Sequence, residues 1–286
     1  VPATALTLTW PVVAAVLLGA LLHAGWNALL KAGADKTLDT ALMNLLAGVL
    51  ALPLLAATGA PARAAWPFLA ASLVIHIGYY LALTRAYRLG DLGLTYPLMR
   101  GSAPALVALA SFVAFGEALA PLAWAGVLAV CCGVVALGLS REALRAPRAV
   151  AFALANALVI AAYTVVDGLG VRVAGDALAY VAAFFVLDAL PFGLLVLARR
   201  PAAQLRAHAR GRLRVALPAA LATLASYGIA LWAMTRAPVA LVAALRETSV
   251  LFAVLIGTWL LGERFTALRG AGIAGIVLGV VALRLG

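Results

Sequence analysis

The sequence predicts an all-α, polytopic membrane protein: ten transmembrane helices, built as two inverted five-helix repeats around a central cavity. Three observations carry that expectation. Apolar residues dominate and come in membrane-length blocks. Basic residues gather in alternate connections. Residues of the first half recur at fixed offsets in the second.

Of the 286 residues, 66% are hydrophobic and only 11% are charged, and the mean hydropathy is +1.11. A soluble domain carries about 45–50% apolar and about 25% charged residues. A soluble fold of this composition would lack the polar surface to cover itself, whereas a bilayer is itself apolar. About 20 apolar residues cross the hydrocarbon core as a helix. In lipid the backbone must satisfy its own hydrogen bonds, which leaves helices or a closed barrel. Alternating strand patterns are absent, so the blocks are read as helices.

The first block, roughly 10–31, has no basic segment before it and ends in Asn27 and Lys31, so it reads as a retained helix rather than a signal peptide. The second runs roughly over 38–58 and the third over roughly 66–85, where His76, Tyr79 and Tyr80 share one face. The fourth, roughly 93–115, carries Tyr96, Pro97, Arg100 and Pro104. The fifth spans roughly 119–139; its adjacent Cys131 and Cys132 lack metal-ligand spacing and read as packing residues. The sixth, roughly 148–170, holds Asn156, Tyr163 and Asp167 on one side. The seventh, roughly 177–198, contains Asp188 and Pro191, and the eighth, roughly 213–235, contains Tyr227. Between these two lies the longest polar stretch, Ala198 to Arg214, expected as a connection. The ninth, roughly 238–260, includes Arg246-Glu247-Thr248-Ser249; the tenth covers roughly 267–285. Prolines 53, 97, 104 and 191 are candidate kinks.

The formal charge is +11. In a soluble protein that would suggest nucleic acid, but here the bases sit in connections between spans, so no nucleic-acid partner is expected. Fifteen of the 21 basic residues fall in odd-numbered connections and four in even ones or at the ends; Arg100 and Arg246 lie inside helices. Basic loops stay cytoplasmic. Both termini are therefore expected outside, periplasmic if the membrane is a bacterial inner membrane.

Gly116-Glu117 recurs as Gly262-Glu263, 146 residues later. At the same offset Gly126 matches Gly272, Arg100 matches Arg246, and Gly133-Val134-Val135-Ala136-Leu137 matches Gly279-Val280-Val281-Ala282-Leu283. Thr84-Arg85-Ala86 matches Thr235-Arg236-Ala237 at 151, and Trp26 pairs with Tyr163, and Asp39 with Asp176, at 137. The expected copies are residues 1–140 and 147–286. Five helices per copy is an odd number, so the second copy enters the membrane in the opposite sense. Inverted halves that exchange conformations open a central site to each side in turn.

Two five-helix copies, each with Gly-Glu before a Gly-rich last helix, resemble the EamA domains of the drug/metabolite transporter superfamily. The resemblance covers the whole chain. It implies a ten-helix bundle in which the fourth and ninth helices line a cavity, with no cofactor. It further implies export of small metabolites, with the amino-acid exporter branch favoured. A multidrug exporter and a phosphate-ester or nucleotide-sugar exchanger are the alternatives. No Walker, HExxH, nucleophile or dinucleotide-loop motif appears, against a pump or an enzyme.

Polar groups inside a membrane are costly and usually face a cavity or a partner. The substrate-facing set expected on that ground begins with His76, Tyr79 and Tyr80, and with His23, Trp26 and Asn27 at the same spacing on the first helix. It continues with Tyr96, Arg100, Tyr163 and Tyr227, and ends with Arg246, Glu247 and Ser249. Trp10, Trp66, Trp124 and Trp259 lie near helix ends and read as an interfacial belt. For the two arginines, two readings stand side by side. Either they offer planar donors to a carboxylate or phosphate, or they are satisfied internally. In the second case Arg246 pairs with Glu247 or Asp188, and Arg100 snorkels or binds carbonyls freed by Pro97 and Pro104. Glu247, Asp188, Asp167, His76 and His23 either titrate in proton coupling or hold helices together. Glu117 and Glu263 are expected to cap the helices that follow them. The Gly275/Gly279 step and its image Ala129/Gly133 permit close helix packing, within one chain or in a homodimer.

Overall fold

The computed structural model describes residues 6–31, 33–89, 92–138, 147–261 and 266–286. Within the helices, the side chains of 31, 80–89, 92–95, 138, 257 and 259–261 lie outside this description. The helices are α1 (Trp10–Lys31), α2 (Lys36–Thr58), α3 (Trp66–Leu89), α4 (Leu92–Phe115), α5 (Pro121–Gly138), α6 (Pro147–Val173), α7 (Ala177–Arg199), α8 (Ala202–Met234), α9 (Val239–Arg246), α10 (Thr248–Leu261) and α11 (Ala267–Leu285). No strand occurs among the described residues. Eight spans among them are long and apolar enough to cross a membrane, α9 and α10 counting as one, and α5 adds a shorter apolar helix. The chain is a polytopic helical membrane protein.

Helix starts are set by local chemistry. Asp35 accepts from Leu38 N at 3.1 Å, Asp176 from Leu178 N at 2.7 Å and Thr266 from Arg269 N at 3.2 Å. Each side-chain oxygen satisfies a donor that the helix leaves open. The matching caps place Asp35, not Asp39, opposite Asp176, so the 137-residue register does not extend into α2 and α7.

Two spans differ from expectation. The polar stretch before α8 is mostly helix: α8 starts at Ala202 and runs 33 residues. Hydropathy marks where a helix leaves the hydrocarbon, not where it ends. The ninth span is interrupted at Glu247, dividing it into α9 and α10. There, Glu247 N bonds Ala244 O and Val250 N bonds Glu247 O, three residues back instead of four. The Thr248 hydroxyl donates to Leu245 O at 2.7 Å. This tightened turn, rather than a proline, makes the break. Pro53, Pro97, Pro104 and Pro191 all lie inside uninterrupted helices.

The two halves interlock. The most extensive packing joins α5 to α11, α2 to α7, α3 to α6, α1 to α8 and α4 to α6. Each of these pairs takes one helix from either half. The pairing is reciprocal: the first helix of each half lies on the third of the other. On α5 and α11 the approach is backbone to backbone. A Cβ on Gly133 would lie 2.6 Å from Gly272 O, and one on Gly279 would lie 2.8 Å from Gly126 O. The small-residue steps are thus spent inside one chain.

Polarity is distributed as in a membrane protein. Leu109, Val113, Leu158 and Leu278 face outward, while Arg100, Asp167, Glu247, Thr248 and Ser249 are buried. Trp10 and Trp66 are exposed near helix starts, as a belt requires. Trp124 is packed on the core, and the side chain of Trp259 lies outside the described residues.

Candidate functional site

The tightened turn at Glu247 aims its carboxylate at α4. Glu247 Oε2 lies 2.9 Å from Arg100 Nε, with both side chains almost wholly buried. The two are in charge contact without the alignment of a hydrogen bond. Successive side chains on a helix diverge by about 100°, so Glu247 leaves its neighbour Arg246 and pairs across the interface between halves. Arg100 therefore neither snorkels nor faces a free anion.

Arg246 has a different environment. It is half-buried, and its guanidinium carbon sits 5.3 Å from the ring centre of Tyr227. Among the described residues no carboxylate lies within ion-pair reach of it: neither Glu247 nor Asp188 is its partner. It borders a crevice with His23, Ser226 and Gly19. The crevice is too narrow to admit a water-sized sphere.

Tyr227 links that cation to a buried acid. Its hydroxyl donates to Asp167 Oδ2, and the Tyr180 hydroxyl donates to Asp167 Oδ1 at 2.8 Å. Asp167 has no exposed surface. Two phenol donors supply the contacts that water would otherwise give a carboxylate.

Beside this chain lies an aromatic wall. The His76 ring is 4.4 Å from that of Tyr163 and 5.2 Å from that of Phe184. Tyr79 meets Tyr163 edge to face at 6.1 Å. His76 Nδ1 donates to Ser72 O at 2.8 Å, which places the proton on Nδ1. Tyr96 packs on the same cluster.

The remaining expected residues divide. On α1, the His23 and Trp26 rings meet edge to face at 4.9 Å. Asn27 spends its amide on His23 O at 2.8 Å, a bond within its own helix. Trp26 Nε1 and Ser249 Oγ are buried donors without a hydrogen-bond partner among the described residues. Tyr80 has its side chain outside those residues. Sequence reasoning missed Tyr180, Phe184, Ser72 and Ser226. Tyr180 stands near a helix start and Phe184 in an apolar run, with no pattern in the sequence to set either apart.

Away from the centre, each end carries an ionic tie between the halves. Glu117 Oε1 lies 2.7 Å from Arg172 Nη2, while Glu117 Oε2 accepts from Val239 N at 3.0 Å. Arg172 also donates to Met234 O and Ala237 O, at 2.8 and 3.2 Å. Glu117 thus caps α9, in the other half, not α5 as expected. Gly116, at φ 68°, makes the left-handed turn before it. Glu263 lies outside the described residues. At the other end Asp39 accepts from Arg212 Nε at 2.9 Å and contacts His208 Nε2 at 3.1 Å.

No cluster of metal ligands occurs among the described residues. The arrangement offers Arg246, a cation without an ionic partner among the described residues, together with an aromatic cluster and a buried acid. Residues 147–285 match the EamA-like transporter family. No curated protein matches the chain. A solved structure described only as a crystal structure of a protein superposes with a TM-score of 0.72, at 21% identity, covering 96% of each chain. At that identity it shows a shared fold.

Proposed function

We propose that this chain is a membrane transporter of small molecules that exports metabolites, amino acids foremost, by alternating access; the match of residues 147–285 to the EamA-like transporter family supports that reading. The observation that carries the substrate class is Arg246. It is a cation with no ionic partner among the described residues, stacked on a tyrosine that leads to Asp167. A guanidinium in that setting favours a carboxylate. Tyr163 and Tyr79 belong to the aromatic cluster beside this tyrosine–aspartate chain, and aromatic rings attract an ammonium group. A zwitterion meets both demands.

The pairing of Glu247 with Arg100 weighs against a cationic drug, because the acid such a cargo needs is already neutralised. That Arg246 is the one unpaired arginine beside this aromatic cluster among the described residues weighs against a phosphate ester. The reciprocal packing of α1 on α8 and α6 on α3 supports two inverted copies, residues 1–140 and 147–286. The ties between the halves at Glu117 and Asp39 support reading the conformation as occluded. The charge bias supports cytoplasmic odd connections and periplasmic termini in a bacterial inner membrane.

The test is counterflow in proteoliposomes across amino acids, sugar phosphates and cationic dyes. Saturable amino-acid flux with no dye flux is expected. Robust dye flux without amino-acid flux would move the substrate class to drugs. Repeating the flux with and without an imposed pH gradient separates proton coupling from facilitated export.

A further inference from the structure

The part of α8 that precedes its apolar run has two unlike faces. At 33 residues it is about 50 Å long, well beyond the ~30 Å of a hydrocarbon core. Its inner face is occupied: Leu205 packs on the cluster of Leu38, Ala41 and Val196, and His208 and Arg212 hold Asp39. Its outer face carries Arg206, Arg210 and Arg214, all exposed and four residues apart.

The register of that stripe identifies its surroundings. Leu213, Leu217 and Leu221 are exposed by 45%, 38% and 50%. Each stands seven residues after one of the arginines, nearly two full turns, and so on the same side of the helix. Leucines on that line face the acyl chains. The row of arginines is centred roughly 10 Å nearer the helix start than the row of leucines, and the two meet at Leu213 and Arg214, where acyl chains give way to headgroups. Like charges at this spacing repel one another. None of the three has an ion-pair partner among the described residues. Arg199 and Arg200 add charge at the preceding corner, where Arg200 reaches Asp35 at 3.6 Å.

We propose that Arg206, Arg210 and Arg214 form a binding stripe for anionic phospholipid headgroups, in the leaflet at the α8 start. A headgroup phosphate anchored by its chains along the leucines supplies the missing counter-charge. Basic segments beside a membrane attract anionic lipid in this way. The lipid so held braces the α8–α2 contact at Asp39.

The test uses the full chain and reads thermal unfolding in zwitterionic micelles, with and without added phosphatidylglycerol. Phosphatidylglycerol is expected to raise the wild-type midpoint by roughly 4 °C. The triple variant R206Q/R210Q/R214Q keeps its basal midpoint and loses more than half of that rise. The double variant R63Q/R236Q, at exposed arginines elsewhere, keeps most of it. Native mass spectrometry counts retained phosphatidylglycerol, and fewer copies are expected on the triple variant only. A full rise in the triple variant, an equal loss in both variants, or the same rise from inorganic phosphate alone would each overturn the lipid site. Should the triple variant fail to fold, the wild-type lipid and phosphate arms still decide.

Discussion

Arg100 and Arg246 stand 146 residues apart, at matching points of the two halves, yet they have opposite circumstances. Arg100 is buried against Glu247. Arg246 lies half-buried on a tyrosine ring, with no acid partner among the described residues. The cause is the next residue. Arg100 is followed by Gly101, where a Cβ would come 2.7 Å from Val135 and 3.0 Å from Cys131 O, so glycine lets α4 close on α5. Arg246 is followed by Glu247, where the helix breaks and the carboxylate crosses to the other half. The first half spends the position on packing and the second on charge. A matched pair in sequence thus yields one structural ion pair and one available cation.

The comparison breaks first at the ion pair. Arg100→Met leaves Glu247 buried without a partner, a loss of about 3–5 kcal/mol. Thermal unfolding of the purified protein should drop markedly, and the double variant R100M/E247L should recover most of the loss. Equal instability of single and double variants would mean the pair is not the source. Next is Arg246→Gln. Its midpoint should stay close to wild type, while the half-saturating amino-acid concentration rises roughly 10–100-fold, the worth of a charge-assisted hydrogen bond. Unchanged saturation would remove Arg246 from the site.

Two smaller effects sharpen the contrast. Glu117→Gln keeps the size of the α9 cap but drops its charge toward Arg172. A stability loss of about 1–2 kcal/mol is expected, read as faster amide exchange at the start of α9. Tyr227→Phe preserves the ring beneath Arg246 and removes one donor from Asp167. It should cost about 1 kcal/mol in stability and raise the half-saturating concentration less than Arg246→Gln does. A larger transport defect than that of Arg246→Gln would shift the substrate contact from the guanidinium to the phenol–carboxylate pair.

Much of the site was legible in residue types. His76, Tyr79 and Tyr163 do converge, because costly polar groups on apolar helices turn inward. Asn27 did not join them, since an amide four residues from a carbonyl on its own helix finds a nearer acceptor. Tyr180 and Phe184 were invisible because nothing along the chain separates a wall residue from a core or belt residue.

By itself the sequence determined the helical class, the approximate place of most spans and the matched arginines. These follow from local hydropathy and from identities at fixed offsets, which need no knowledge of neighbours. Only the tertiary structure decided that Glu247 goes to Arg100, that Glu117 caps α9 rather than α5, and that the glycines of α5 and α11 meet within one chain. Those outcomes depend on contacts of about 3 Å between helices far apart in the chain. A shift of one residue in how two helices meet redirects a side chain by about 100°, and the order of residues alone does not fix that angle.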